Sequence, residues 1–556
     1  MGEAGGAGTV GEVAVEAWDA FVDGFLERYF AAHPTFAAAA GRHDFDGLLP
    51  DWSPEGLAAE AGRLREERRK AAAFDPAALD AERRFERDAL LAQIDGELFW
   101  WSAAEAPLRN PLFYSAPLDP ALYLTREYAP LQERLRAYVA YARAVPRAAA
   151  EIRANLRTPL PRTFVELGRL TFGGLADYYE REAPAAFAAV RDPWLESEFK
   201  VANAAAAAAM RELDAWLAAQ EGEANGDFRL GASLFSEMLA ATERVEGVSL
   251  AELEAAGRAD LERNLGRLEE ACAAYAPGLT VAECISRINR EKPEGGPPRP
   301  ARRQLAGLKA FVVEQGLAGI PGDEQALVAE APPHQRWNSA YIDIPGPHER
   351  GMPAIYYISP PDPAWTAEER EAYIPGAAEL LFTSVHEVWP GHFLQFLHSN
   401  RAASPIGRTF VSYGFAEGWA HYAEEMVWEA GFGAGDPRVQ IGLLQNALLR
   451  NVRYVVAIGL HAGEMTLAEA ERRFREQGHL DAASARQQAA RGTFDPAYLN
   501  YTLGKLMVRK LRDDWTAPRG GRAAWRAFHD RLLSFGGPPL PLVRREMLGG
   551  VAGSLL

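Results

Sequence analysis

Histidine and glutamate side chains crowd into one stretch of the sequence. Four of the eleven histidines fall within 36 positions: His386, His392, His398 and His421. The first two belong to a segment that reads Ser-Val-His-Glu-Val-Trp-Pro-Gly-His-Phe-Leu-Gln, from Ser384 to Gln395. In zinc peptidases a His-Glu-x-x-His helix places two imidazoles one turn apart, beside a glutamate that acts as general base. The cluster therefore indicates a metal site with hydrolytic chemistry.

The six-residue spacing of His386 and His392 does not fit one regular helix. Residues six apart are rotated by about 600°, roughly 120° short of two turns, and displaced by about 9 Å along the axis. Between them, Pro390 removes a backbone donor and Gly391 tolerates dihedrals that other residues avoid. We expect a bulge or kink of two extra residues that brings His392 back under His386. The alternative is a helix that ends at Trp389 and restarts, leaving two unrelated surface histidines.

A third ligand is expected 25 positions after His392, where the chain reads Glu-Gly-Trp-Ala-His-Tyr-Ala-Glu from Glu417 to Glu424. A zinc site with an open fourth position requires three protein ligands, and a carboxylate suits the third. Glu417, His421 and Glu424 share one helical face because they are spaced i, i+4 and i+7. Glu417 is the predicted ligand, whereas His421 and Glu424 are predicted to orient an imidazole or hold a proton.

The elements that must position these groups are predominantly helical. From about Ala14 to Leu268, apolar residues recur at three- and four-residue spacing, which predicts a succession of amphipathic helices. Proline-containing segments interrupt the pattern at Pro34, 49–54, 110–111 and 158–161. The helical pattern resumes after Gly376 and continues nearly to the C-terminus.

A Pro- and Gly-rich linker at 292–303 divides the chain into an N-terminal helical part, 1–290, that covers a catalytic part, 304–556. Three short β-like runs follow the linker at 326–329, 340–344 and 354–358. They predict a small antiparallel sheet just upstream of the metal-binding helix. The expected fold is mainly α with this one minor sheet.

Composition excludes several classes of function. The 556 residues carry 59 basic and 76 acidic side chains, a net charge of −17, which argues against nucleic acids or anionic membrane surfaces as partners. Only Cys272 and Cys284 are present, and they are expected to be reduced thiols on one helical hairpin. With no secretion signal and no run of about 18 apolar residues, the protein is expected to be soluble and cytoplasmic.

Two motifs together resemble a known family. His-Glu-x-x-Pro-Gly-His-x-Leu-Gln at 386–395 and Glu-Gly-Trp-Ala-x-Tyr-Ala-Glu at 417–424 look like the bacterial "domain of unknown function 885" family, whose members resemble metallopeptidases. Weaker similarity includes Pro-Asp-x-Ser at 50–53 and the segment 495–505. More distantly, the family resembles the helical thimet oligopeptidase and Taq carboxypeptidase families. This resemblance implies a large peptidase-like fold with Zn²⁺ in a deep cleft, His386, His392 and Glu417 as ligands, and Glu387 as general base.

Several residues are candidates to complete a mechanism. Tyr501 or His461 is expected to donate a hydrogen bond to the oxyanion that peptide hydrolysis develops. Tyr498 shares a helical face with Tyr501, so the two either line a channel or pack in the core. Arg450 or Arg453 is expected to clamp a substrate carboxylate. Tyr357, with its neighbour in the last strand, is expected to flank the substrate if that strand is an edge.

The leading hypothesis is a zinc-dependent peptidase, of carboxypeptidase, dipeptidase or oligopeptidase type, that acts on short peptides. A second hypothesis is a helical binding protein, with or without metal, that does not hydrolyse its ligand. A third keeps the metal but changes the reaction to hydrolysis or rearrangement of a specialised amide small molecule. The sequence leaves all three open.

Overall fold

The computed structural model describes residues 10–332, 335–336, 339–363, 365–550 and 553–556. Over these ranges the chain is mainly helical, as expected, with a few short 3-10 turns. Twelve helices precede the linker: α1 Val10–Ala32, α2 Pro34–Ala39, α3 Pro54–Ala73, α4 Ala81–Leu98, α5 Ala106–Arg109, α6 Ala121–Thr125, α7 Leu131–Asn155, α8 Arg162–Ala186, α9 Pro193–Gln220, α10 Ala232–Glu243, α11 Leu250–Tyr275 and α12 Val281–Ile288.

Twelve further helices follow within the described ranges: α13 Pro298–Glu314, α14 Ala367–Tyr373, α15 Ala377–Glu387, α16 His392–Ser399, α17 Pro405–Thr409, α18 Tyr413–Glu429, α19 Pro437–His461, α20 Leu467–Glu476, α21 Ala482–Phe494, α22 Asn500–Thr516, α23 Trp525–Leu533 and α24 Leu540–Met547. Helix α13 occupies part of the segment predicted as a linker, because its proline residues stand in the first turn, where the missing amide is not needed.

Proline and capping residues set many of the helix starts. Helix α3 begins at Pro54, and Oγ of Ser53 accepts a hydrogen bond from the Gly56 amide at 3.0 Å. Helix α11 begins with a reciprocal capping box between Ser249 and Glu252. These contacts satisfy amide groups that a helix start would otherwise leave unpaired.

The minor sheet is mixed, not wholly antiparallel. Its strands are β1 Ala326–Glu330, β2 Ala340–Asp343 and β3 Ala354–Ile358, in the order β1-β3-β2. β1 pairs parallel with β3, whereas β2 pairs antiparallel with it. The segments were predicted correctly, but the antiparallel expectation was wrong for the β1 and β3 pair. β3 is the central strand, so it offers no free edge for strand addition.

The largest hydrophobic core extends from Phe99 to Met547 and joins helices from both sides of the linker. Helix α11 packs closely on α19 where the ring of Tyr454 covers Gly257: a Cβ there would lie 2.1 Å from a ring carbon. Of two smaller cores, one lies among α7, α8 and α9, and the other among α1, α3 and α4 together with Ile406 and Phe410. The division into parts 1–290 and 304–556 stays a prediction, since the main core crosses it.

Cys272 and Cys284 form a disulfide that joins α11 to α12. The expectation of two reduced thiols was wrong, although the predicted helical hairpin is present. The tight turn between the helices places the two Cα atoms 5.8 Å apart, within the range that a disulfide spans. Both side chains are buried.

A deep cleft of about 2100 Å³ lies between the N-terminal helices and the predicted catalytic part. Tyr29, Trp100 and Phe113 contribute to one side, and Tyr413 and Arg453 to the other. The expected cleft is therefore present. Within the described ranges, no helix is both long and apolar enough to cross a membrane.

Candidate metal centre

Two consecutive helices present the predicted histidine ligands. α15 ends at Glu387, directly after His386, and α16 begins at His392. The chain leaves helical geometry at Val388 (φ −121°, ψ −77°) and turns back through Gly391. The sequence predicted a two-residue bulge or kink within one helix, whereas the structure has a complete break between two helices. The restart does not separate the histidines, because their ring centroids lie 4.8 Å apart.

Gly391 is required by this return. A Cβ at this position would lie 1.8 Å from the carbonyl oxygen of His386, far inside contact distance. The indole nitrogen of Trp419 donates to the Pro390 carbonyl at 2.9 Å, which ties the connecting segment to α18. The Pro-Gly pair therefore lets α16 start directly against the end of α15.

His386, His392 and Glu417 converge. Nε2 of His386 and Nε2 of His392 each lie 3.2 Å from Oε2 of Glu417. Ligands arranged tetrahedrally around zinc at about 2.0–2.2 Å are about 3.3–3.6 Å from one another. Two imidazole nitrogens and one carboxylate oxygen at these separations fit a zinc ion with one position left open.

The electrostatics of the centre favour an ionised carboxylate. Burial alone would raise the pKa of Glu417, but the facing His392 and His386 hold it well below its ordinary value. For His386, burial and the charge of Arg450 oppose protonation, whereas hydrogen bonding to Glu417 and Glu424 raises its pKa. The negative charge of Glu417 is thus available to a bound cation.

Glu424 holds His386 from the other side. Its Oε1 lies 2.7 Å from Nδ1 of His386 and 3.3 Å from the guanidinium of Arg450. His421 lies on the far side of this carboxylate, with Nδ1 3.5 Å from Oε2, and burial lowers its pKa to about 4. Glu424 therefore holds Nδ1 of His386 and directs Nε2 toward the centre.

Glu387 is the last residue of α15 and is 8% exposed. Burial raises the pKa of its carboxyl group, against the opposing charges of His386 and His392. No described residue makes a hydrogen bond or ion pair with this carboxylate. A buried carboxyl group with a raised pKa beside the ligands suits general acid and base chemistry.

Tyr501 lies beside the centre. Its ring stacks at 6.1 Å and 20° on the ring of His386, and no described residue hydrogen-bonds its hydroxyl. Tyr413 lies 5.7 Å from the Tyr501 ring, but its hydroxyl is engaged with Asp495 at 3.1 Å and with Arg491 at 3.2 Å. Sequence reasoning missed Tyr413, although it stands one helical turn before Glu417 on the same face.

A close helix crossing positions Tyr501. Gly418 of α18 faces Gly504 of α22, and a Cβ on Gly418 would lie 2.5 Å from the α-carbon of Gly504. Buried Lys505 then pairs with Asp260 of α11, which also accepts a hydrogen bond from Asn451 at 2.8 Å. These contacts fix α22, and hence Tyr501, against the helix that carries Glu417.

Two predicted residues lie elsewhere. His461 packs between Phe228 and Phe235, and both of its ring nitrogens face backbone groups, the Gly492 carbonyl at 2.7 Å and the Leu230 amide at 3.4 Å. It also lies about 12 Å along α19 from the Arg453 turn.

Tyr498 is fully buried with its hydroxyl against Gly492, and it does not line the cleft. The structure does not bring either residue to the centre.

Tyr356, rather than Tyr357, faces α15, the helix that carries His386 and Glu387. The charge of Glu387 contributes, after burial, to raising the pKa of Tyr356. Tyr357 stacks on Tyr341 at 5.0 Å and borders a separate small cavity with Arg126. Successive strand residues point to opposite faces, so the expectation for Tyr357 fell on the wrong side of β3.

Arg453, predicted to bind substrate, lines the cleft, and its guanidinium carbon lies 4.9 Å above the Tyr501 ring. The three metal ligands themselves do not line the cleft. Their side chains are only 4% (His386), 12% (His392) and 18% (Glu417) exposed. The centre therefore lies just behind the cleft wall that Tyr413 and Arg453 form.

Comparisons with known proteins identify the family. The profile of a family described as "Bacterial protein of unknown function (DUF885)" matches residues 34–547. The chain belongs to this family. No curated protein matches the sequence. The motifs at 386–395 and 417–424 thus supply the candidate metal ligands of this DUF885 protein.

Two solved structures share the DUF885 chain's fold. One, from Shewanella oneidensis, is described as a "putative lipoprotein of unknown function"; it has a TM-score of 0.78 and 22% identity over 96% of this chain and 99% of its own. The other, a "putative lipoprotein" from Colwellia psychrerythraea, has a TM-score of 0.78 and 17% identity over 97% and 98%. A structure from Bacillus anthracis str. Ames, described as a "putative oligoendopeptidase F", reaches a TM-score of only 0.35 at 13% identity, with 88% of this chain and 92% of its own covered. This TM-score is too low to establish a shared fold.

Proposed function

We propose that the protein is a zinc-dependent peptidase that hydrolyses short peptides. One observation supports this above all others: Nε2 of His386 and Nε2 of His392 approach the same oxygen of Glu417 at 3.2 Å, with buried Glu387 next to them in the chain. Two imidazoles and a carboxylate are the ligands of many catalytic zinc sites, in which the fourth position stays open.

Zinc held by these residues would supply Lewis-acid chemistry, acidifying water and polarising the scissile carbonyl. Glu387 takes the proton of the attacking water and passes it to the nitrogen of the leaving amine. Glu424 accepts a hydrogen bond from Nδ1 of His386 and so directs Nε2 at the centre, where it would bind the ion. The three carboxylates therefore have separate roles: Glu417 binds the ion, Glu387 moves the proton and Glu424 orients an imidazole.

Tyr501 is the donor that the structure favours for the developing oxyanion. Its hydroxyl has no hydrogen-bond partner among the described residues, whereas that of Tyr413 is already bonded to Asp495 and Arg491. The ring nitrogens of His461 face backbone groups and are not available. Preorganised donors of this kind stabilise charge that appears only in the transition state.

The size of the cleft favours peptides over small cofactors. At about 2100 Å³ it exceeds the roughly 300–1,000 Å³ of most small-molecule sites. The ligands lie behind its wall and are largely buried, so the backbone of a folded protein cannot reach them. An extended oligopeptide meets both conditions.

The test combines metal analysis with a single substitution. We expect the purified protein to contain about one zinc per chain and to cleave members of a short-peptide panel. Glu387→Gln should retain zinc and lose about 10²–10⁴-fold in turnover, the usual contribution of a general base. Glu314→Gln, on the exposed end of α13, is the matched control and should behave like the wild type.

Two outcomes would contradict the proposal. Full turnover by Glu387→Gln would remove the assigned base. One zinc per chain with no cleavage of any peptide would favour the non-hydrolytic binding protein or an enzyme for another amide. Zinc binding itself should raise the melting temperature of the wild type and not of His392→Ala, because an ion that binds only the folded state stabilises it.

We also infer that the protein works in an oxidising compartment of the bacterial envelope. The disulfide between Cys272 and Cys284 supports this, since such bonds are rare in the reducing cytosol. The two solved structures with the same fold are each described as a "putative lipoprotein". Alkylation of thiols in intact cells, followed by mass spectrometry, should find both cysteines unmodified. Alkylated cysteines would instead support the cytoplasmic location that the sequence predicts.

A further inference from the structure

Arg453 is a buried cation without an anionic partner among the described residues. Its side chain is only 7% exposed, and it lies in the wall of the cleft. Nε donates to the neutral Oε1 of Gln488 at 2.8 Å. The face of the guanidinium covers the ring of Tyr501 at 4.9 Å. No described carboxylate lies within ion-pair distance of its two terminal nitrogens.

The neighbouring arginines differ from Arg453 in this respect. Arg450 pairs with Glu424 at 3.3 Å, and Arg491 pairs with Asp495 at 3.0 Å. Burial, followed by the charge of Arg491, lowers the pKa of Arg453. The structure thus places an uncompensated positive charge next to two compensated ones.

Such a charge is costly to the folded protein. A buried ion without a counter-ion loses its hydration and gains little in return. Arginine stays charged regardless, so the cost is offset only when an anion arrives. The planar fork of terminal nitrogens matches a carboxylate, which accepts two parallel hydrogen bonds. Arg453 therefore has the chemistry of a receptor for a carboxylate ligand.

Two ring contacts limit the distance between Arg453 and the candidate metal centre. The guanidinium carbon is 4.9 Å from the Tyr501 ring centroid, and that centroid is 6.1 Å from the His386 ring centroid. Arg453 is therefore at most about 11 Å from the ring of a metal ligand. One extended residue spans about 3.3–3.6 Å. With contact distances at each end, a single extended residue fits within this limit.

We propose that Arg453 binds the α-carboxylate of the substrate, so that the enzyme removes one residue from the C-terminus of short peptides. This inference rests on the proposed peptidase function and specifies its substrate class: peptides with a free C-terminus. An acidic side chain one residue beyond the scissile bond would present the same chemistry. The test therefore has to separate these two sources of a carboxylate.

The substrates are two matched libraries of N-acetylated tripeptides, identical except that one carries a free α-carboxylate and the other a C-terminal amide. We expect zinc-loaded wild type to release the last residue from free acids about 10- to 100-fold faster than from amides, the range for a hydrogen bond to a charged group. Peptide amides whose last residue is aspartate or glutamate should be cleaved as slowly as the other peptide amides. Equal cleavage of both libraries, or preferential cleavage of acidic amides, would overturn the inference.

The variant test uses Arg453→Met, which keeps the buried stem and removes the charge. Its free-acid rate should fall to within about 3-fold of its amide rate, while its melting temperature stays at or above that of the wild type. Arg486→Gln, on the exposed face of the same α21 helix that carries Gln488, is the control and should keep the wild-type preference. A preference retained by Arg453→Met would also overturn the inference.

A binding measurement separates failure of this inference from failure of the peptidase function. Glu387→Gln is dialysed to equilibrium against an equal mixture of the two libraries, and the retained peptides are counted by mass spectrometry. Free acids should be enriched about 10-fold, and the Arg453→Met change in the same background should abolish the enrichment. Enrichment without wild-type turnover would leave the carboxylate site standing and the hydrolytic function rejected; no enrichment would reject the site.

Discussion

Nδ1 of His386 lies 2.7 Å from Oε1 of Glu424, a carboxylate with no exposed surface. The same oxygen receives the guanidinium of Arg450 at 3.3 Å. Glu424 is therefore ionised and cannot turn away from the imidazole without leaving Arg450 unpaired. This contact determines that Nε2 of His386, rather than Nδ1, faces the candidate metal centre.

Glu424→Gln should weaken zinc binding without removing a ligand. The amide keeps the shape of the side chain but loses the charge that polarises His386, and such changes usually cost about 10–100-fold in metal affinity. Competition with a chelating dye measures the effect. Glu429→Gln, later on the same helix, is the control and should keep wild-type affinity. Equal affinities for all three proteins would show that Glu424 does not act through His386.

Gly391→Ala should disrupt the metal centre from a position that contacts no ligand side chain. Its Cβ would meet the carbonyl of His386, so α16 must shift and carry His392 away. We expect loss of most zinc binding and a decrease of about 1–3 kcal/mol or more in the free energy of unfolding. Calorimetry with and without zinc measures both effects.

Gly174→Ala is the matched control for that change. Gly174 lies inside α8, and a Cβ there would have no heavy atom within 4 Å. Alanine should stabilise the helix by about 0.5–1 kcal/mol and leave zinc binding unchanged. If Gly391→Ala behaved like this control, the sharp return between α15 and α16 would not be what positions His392.

His461→Gln should change the pH dependence of stability while leaving turnover intact. Burial lowers the pKa of His461 to about 4, from about 6.5 in an unfolded chain. The unfolded state therefore binds the proton more readily between these values. In the wild type, the contribution of His461 to the free energy of unfolding should fall by up to about 3 kcal/mol as pH falls from about 6.5 to 4. Above pH 6.5 this contribution should not change.

Urea unfolding of metal-free protein at pH 7.5 and 4.5 measures this difference, and the absence of metal removes the effect of zinc release in acid. Glutamine can make both backbone hydrogen bonds of His461 without taking up a proton. Between pH 7.5 and 4.5 the variant should therefore lose less of its free energy of unfolding than the wild type does. If the variant kept the pH dependence of the wild type, protonation of His461 would not be its cause. A large loss of turnover at pH 7.5 would instead restore His461 as a catalytic candidate.

Replacing both Cys272 and Cys284 with alanine should lower the free energy of unfolding by about 2–4 kcal/mol, because the crosslink restricts the unfolded chain. Reductant should destabilise the wild type by a similar amount and have no effect on the double variant. The zinc content of the folded variant should not change, since neither cysteine contacts a ligand. Insensitivity of the wild type to reductant would show that the bond does not form.

The convergence of the three candidate ligands could be predicted from the sequence because it depends on residue type and short spacing. His386, His392 and Glu417 needed only an interruption of the helix, and Pro390 and Gly391 supplied it. The helix starts at Pro34 and Pro54 were equally local, as were the three strands. In each case a few neighbouring residues determine the structure.

The remaining features depend on contacts between distant parts of the chain. Which of Tyr356 and Tyr357 faces Glu387 depends on the side of β3 that packs against the helices, and alternation alone does not decide it. Cys272 and Cys284 needed the α11 and α12 turn to bring their Cα atoms within bonding range. His461 resembled an active-site donor only until its two backbone partners, Leu230 and Gly492, were known.

The crossing of Gly418 and Gly504 leaves no side chain between α18 and α22, so the two backbones cannot slide or separate without opening a void. The centre is thus held on a rigid pair of helices. The opposite wall of the cleft, which α1, α3 and α4 form, packs in a core that also includes Ile406 and Phe410 from the predicted catalytic part. The two walls are therefore joined by shared packing, and we expect a peptide to enter a cleft whose width the folded chain already sets.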